Sequence, residues 1–166
     1  NDALSRPIPV VAQGPDAVKA DPTVNQLVVQ PVQEFVDSLQ ETVVAQTQVP
    51  LDGVRNDVRS RETNLGNLVA DSLLDAGQDA AAAAGVTAPV VALQNGGGIR
   101  NDSLLPTGDV TAFDTYTVLP FANFVAVAPA MPIDTFIAGV EHGLSGQVTA
   151  DVLQPSGGFA QAAGYR

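Results

Sequence analysis

The stretch TNLGNLVADSLLDAGQDAAAAA, residues 63–84, constrains the fold more than any other part of the chain. Thr63 or Asn64 can cap a helix at its start, because a short polar side chain accepts from the orphan amides of the first turn. Leu65, Leu68, Val69, Ser72, Leu73 and Ala76 recur at three- and four-residue steps and mark one face. Such a face has to be buried against another layer. The next apolar run, PVVAL at 89–93, reads as a short buried strand.

The same alternation recurs elsewhere. Residues 1–21 carry three prolines and a glycine and are predicted to be a linker or extended strap. Residues 22–40 read as a helix that Asp21 can cap and Pro22 can open. Its apolar positions are Val24, Leu27, Val28, Val32, Phe35, Val36 and Leu39, and Pro31 inside it should produce a kink. TVVAQTQVPL reads as a strand ending in a turn at LDG. A short helix or turn is expected near 112–117 and a strand around 122–128. A third helix, MPIDTFIAGVEHGL, opens at Pro132 with a stripe of Ile133, Phe136, Ile137, Val140 and Leu144. GGFAQAAGYR reads as a closing strand, with Tyr165 at the core edge. The fold class is therefore α+β, or mixed α/β, with a strand order that periodicity does not reveal.

Composition removes several functions. Apolar residues make up 45% of the chain, enough for a core. With no cysteine there can be no disulfide, thiolate zinc site or cysteine nucleophile. No apolar stretch is long enough to span a bilayer. No basic amino-terminal region leads into an apolar core, as in a secreted protein after cleavage. The net charge of −11 disfavours nucleic acid and anionic membranes as partners. P-loop, GxGxxG and GxSxG patterns do not occur. The lone His142 cannot build a histidine-rich metal site, so no metal is expected in this chain.

Against that acidic background the seven basic residues stand out. Arg55, Arg59 and Arg61 cluster in VRNDVRSRE, and Arg100 closes QNGGGIR at 94–100. Arginine suits bidentate contact with phosphate or carboxylate. These side chains either form an anion site or pair with Asp57, Glu62 and Asp102. The three glycines are either a hairpin tip or a binding loop.

Four segments bear on these readings: VRSRETNLGNLVADSLLDA at 58–76, VVALQNGGGIRNDSLLPTGDVT at 90–111, TVLPFANFVAV at 117–127, and GGFAQAAGYR. In order and spacing they resemble the carboxy-terminal domain of the 5'-nucleotidase family, which includes UDP-sugar hydrolases and ecto-5'-nucleotidases. The resemblance implies helices packed on a mixed sheet, with residues 22–166 forming the substrate-binding domain. It also implies a separate amino-terminal metallophosphoesterase domain of the same polypeptide, holding two divalent metal ions. That domain's histidine-rich motifs are not in this sequence, so the chain by itself is expected to be inactive. By the same resemblance, Arg59 and Arg100 would contact phosphate or ribose, with Arg61 a weaker candidate. Asn95 would lie near the base, Gly96, Gly97 and Gly98 would admit the ligand, and Phe121 would stack on the base. The family's later NGGDG[FY] segment has no counterpart here, which implies a domain incomplete at its carboxy terminus. The implied function is nucleotide recognition within a secreted, periplasmic or cell-surface phosphohydrolase. A non-catalytic nucleoside-binding or surface interaction module is the alternative.

Overall fold

The predicted central helix forms over Asn64–Ala84. The computed structural model describes residues 10–15, 17–128, 130–145, 148–149 and 152–164, so Tyr165 and part of the 1–21 strap lie outside the described residues. Contacts divide the chain into two compact units, one ending at Glu41 and the other beginning at Thr42.

The first unit carries helix α1, made of an α-turn at Pro22–Val24, a π-turn at Asn25–Val29 and a regular helix at Gln30–Glu41. Asp21 caps it as expected, accepting from the amides of Thr23 at 2.7 Å and Val24 at 3.1 Å. Pro31 has no N–H to offer the Leu27 carbonyl, and its ring crowds that position. The chain widens into the π-turn just before the proline, and Gln30 N–H donates to the Asn25 carbonyl.

In the second unit the elements run β1 (Val43–Thr47), β2 (Leu51–Asp52), α2 (Asn64–Ala84), β3 (Ala92–Asn95), β4 (Leu104–Leu105), β5 (Gly108–Thr111), α3 (Ala112–Val118), α4 (Ile133–Leu144), β6 (Val148–Thr149), β7 (Val152–Leu153) and β8 (Ala160–Ala163). The mixture of helix and strand matches the α+β expectation. Among the described residues the strands form four antiparallel pairs, β1–β5, β2–β4, β3–β8 and β6–β7, and not one continuous mixed sheet. The single strand expected from TVVAQTQVPL is split between β1 and β2, which pair with different partners. PVVAL is shifted: the ladder begins at Ala92, where Ala92–Asn95 face Ala163–Ala160. No strand forms at 122–128. That segment runs as irregular chain, and Phe124 is 98% exposed. Its apolar pattern mimics a strand, but it has no ladder partner.

Both ends of α2 are chemically specified. Thr63 Oγ1 accepts from Gly66 N–H at 3.0 Å. At the far end Gly85 adopts φ +67°, a left-handed conformation that favours glycine. Gly85 N–H then bonds the Ala82 carbonyl and Val86 N–H the Ala81 carbonyl. Thr63→Ala should cost about 1 kcal/mol through the lost cap. A fall of roughly 3–6 °C in the melting midpoint would register it, and an unchanged midpoint would show that the cap carries no stability.

The buried face of α2 is not the one its bulky residues suggest. Leu65 and Val69 are buried, but Leu68 is half exposed. The remaining buried positions are Gly66, Ala70, Gly77 and Ala81. Small residues let the helix sit close to β3 and β8, and periodicity in large side chains misses such a face. The apolar core gathers Leu51, Val58, Leu65, Val69, Ile99 and Val118, with Leu105 and Leu119 packed against it.

Candidate functional site

Two loops carry the arginines. The first, 53–62, leaves β2 and is wound into tight turns: Val58 N–H donates to the Val54 carbonyl at 3.0 Å, and Arg61 N–H to the Asp57 carbonyl at 2.9 Å. Val58 is fully buried and acts as the loop's anchor. The second loop leaves β3 as a single 3₁₀ turn over Gly96–Gly98. Ile99, 1% exposed, anchors it in the core, and Arg100 N–H donates to the Val118 carbonyl at 3.0 Å.

Asp102 ties the loops together. It sits at φ +47°, and its carboxylate accepts from Arg55 N–H at 2.8 Å. Burial pushes the Arg59 guanidinium below its ordinary value, and the charges of Arg55 and Arg100 push it further; Asp102 opposes them. Arg100 also lies over the Phe121 ring, 5.6 Å from the centroid, in cation–π contact. Phe121 is half exposed, so part of its surface faces solvent.

The other candidate positions differ from one another. Arg61 turns away to a carboxylate pair, Asp57 at 2.8 Å and Asp52 at 3.0 Å. Its hydrogen bond holds the partly exposed Asp57 carboxyl below the usual range. Asn95 is exposed, and its amide donates to the Gly157 carbonyl at 3.2 Å. The space beside each of the three glycines is already filled by protein. A Cβ on Gly96 would strike the Val58 carbonyl oxygen, one on Gly97 would meet Gly157 at 3.0 Å, and one on Gly98 would strike the Gln94 amide. None of the three has positive φ. At Gly96 and Gly97 the lack of a side chain therefore serves close packing between loops.

Asp102, one of the carboxylates expected to pair with the arginines, accepts from the backbone N–H of Arg55, 47 positions away. Gln161 escaped sequence reasoning: it is 1% exposed between alanines on β8. A polar side chain in an apolar strand was the available signal. A cavity of about 240 Å³ lies between α4 and β8, lined by Glu62 and five apolar residues and by no arginine. Charge locates the candidate site better than that hollow does. Among the described residues no group of three or more acidic or histidine side chains converges to hold a metal ion, and no helix is long and apolar enough to cross a membrane.

The family model described as "5'-nucleotidase, C-terminal domain" matches residues 43–130. The chain belongs to that family. Arg55, Arg59, Arg100, Asp102 and Phe121 all lie within the matched segment. Among curated 5'-nucleotidase relatives, the chain is 36% identical over 138 residues to the trifunctional nucleotide phosphoesterase protein YfkN of Bacillus subtilis. It is 30% identical over 141 residues to a 5'-nucleotidase of Vibrio parahaemolyticus. The alignments cover 81% of this chain but only 8% and 20% of those proteins. The 5'-nucleotidase precursor from Thermus thermophilus has a similar structure, with a TM-score of 0.60, 31% identity, 84% of this chain covered and 24% of the other. The chain thus corresponds to a small part of larger 5'-nucleotidase-type proteins.

Proposed function

We propose that this chain is the nucleotide-recognition domain of a secreted 5'-nucleotidase-type phosphohydrolase. The observation that carries the reading is the approach of the two arginine loops, where a Cβ on Gly96 would lie 3.3 Å from Arg59 Cα and Arg100 lies over the half-exposed Phe121, in a chain of net charge −11. Asp102 opposes the Arg55 and Arg100 charges at Arg59 but ranks below them, and a bound anion would offset the rest. A nucleoside monophosphate has the matching parts, a phosphate for the guanidinium forks and a flat base for the ring. The names of the relatives support the same substrate class.

Arg59 and Arg100 would orient the phosphate, and Phe121 would offer one stacking face. Holding a substrate in reactive geometry can account for a large share of rate enhancement. Two divalent metal ions would activate the phosphoryl group, and they would belong to a domain outside these 166 residues; the side chains described here do not fit that role.

Calorimetry with AMP and adenosine tests the reading. AMP should bind at least about tenfold tighter, the worth of one charge-assisted hydrogen bond. Equal affinities would remove the phosphate site. The purified chain should not release phosphate from AMP when divalent metal is added. Turnover under those conditions would place catalysis within this chain and overturn that part of the proposal.

A further inference from the structure

Gln161 lies on β8, opposite Gln94 in the ladder. It is 1% exposed, and among the described residues the other buried polar side chain is Thr63. Its carboxamide makes three hydrogen bonds, all to the backbone of one segment. Nε2 donates to the Val58 carbonyl at 3.0 Å and to the Arg61 carbonyl at 2.7 Å. Oε1 accepts from Thr63 N–H at 3.2 Å. Between the two carbonyls it holds lies Arg59, whose own carbonyl accepts from Ser156 N–H at 2.9 Å. Room for the carboxamide comes from Gly66, where any Cβ would overlap Oε1.

We propose that Gln161 is a positioning residue, splinting the 58–63 backbone so that the Arg59 guanidinium is held at the anion site before ligand arrives. This rests on the nucleotide-recognition reading for its consequence, but the splint is testable without ligand. A buried amide that donates twice and accepts once matches this backbone in a way no other side chain of its size can. Glutamate cannot donate to two carbonyls when ionised, and methionine can do neither. A recognition loop ordered in advance avoids paying its ordering entropy on binding.

The test compares wild type, Gln161→Met, Arg59→Ala and the double variant of the full chain. Two readouts are used, AMP affinity by calorimetry and cleavage rates at individual arginines by trypsin. Gln161→Met should weaken AMP binding about tenfold, as expected for loss of a pre-formed contact to a charged group. In the Arg59→Ala background it should add less than about twofold, because contacts acting through one group are not additive. Trypsin should cut after Arg59 and Arg61 about tenfold faster in Gln161→Met, with cleavage after Arg100 unchanged, as for a local opening.

Additive losses of affinity would overturn the proposal. So would equal acceleration at every arginine in a variant that is still folded by circular dichroism. If Gln161→Met does not fold, Gly66→Ala supplies the same comparison, since its methyl group displaces the carboxamide from the helix side. If wild type binds no AMP, the nucleotide-recognition reading fails, and the cleavage pattern alone decides whether Gln161 splints the loop.

Discussion

Arg100→Ala is expected to weaken AMP binding by about ten- to hundredfold, the range set by losing a charge-assisted contact worth roughly 1.5–3 kcal/mol. Arg100 is exposed, and among the described residues its guanidinium has no carboxylate partner. Its neighbours are the Gly97 carbonyl at 3.5 Å and the Phe121 ring. Neither neutralises it, so the charge remains available for a phosphate. Adenosine affinity should change far less, which separates a lost phosphate contact from general damage. Arg100→Lys should restore only part of the loss, because an ammonium keeps the charge but not the planar fork or its stacking on Phe121. Calorimetric titration of the three proteins with both ligands makes the comparison. An AMP affinity unchanged in Arg100→Ala would remove Arg100 from the site.

Gly96→Ala is expected to destabilise the second unit by about 3 kcal/mol, at the upper end of what overpacking usually costs. The obstructing atom is the Val58 carbonyl oxygen, a backbone group already engaged by Gln161. On its other side Gly96 donates to the Phe159 carbonyl at 2.7 Å, which holds it against β8. A methyl group at 96 must therefore displace either the arginine loop or the β3–β8 ladder. Thermal denaturation should show a midpoint lower by roughly 10 °C. Gly139→Ala is the control. It lies within α4 with open space where its methyl group would go, so alanine should raise stability by roughly 0.5–1 kcal/mol. Equal midpoints for wild type and Gly96→Ala would show that the loops can separate at little cost.

The sequence made much of the helical framework legible, because helix ends are written in local chemistry. Asp21, Thr63 and Pro132 each stand where a helix begins, and Gly85 stands where α2 ends. Strands were harder. Residues 122–128 have the apolar character of a strand and form none, while β4 has two residues and leaves little periodic trace. Pairing depends on a partner elsewhere in the chain, and local pattern does not carry that information.

The candidate site divides in the same way. The clustering of Arg55, Arg59 and Arg61 and the isolation of Arg100 are visible in the sequence of an acidic chain. That Arg61 is drawn off by Asp52 and Asp57, while Arg55, Arg59 and Arg100 share one locality, required the fold. The glycines were legible as a loop, but their reason was not. The atoms that exclude a side chain at 96 and 97 belong to Val58 and Gly157, distant in sequence.

The bond between Gln161 and Val58 spans 103 positions. Closure over such a separation is late and slow, because the intervening chain must be ordered before the contact can repay its loss of freedom. During synthesis the amino end leaves the ribosome first, so the arginine loop emerges well before the strand that holds it. Its splinted form therefore belongs only to a chain translated at least through Gln161. A ribosome stalled short of that point would carry the arginines without the geometry that aligns them.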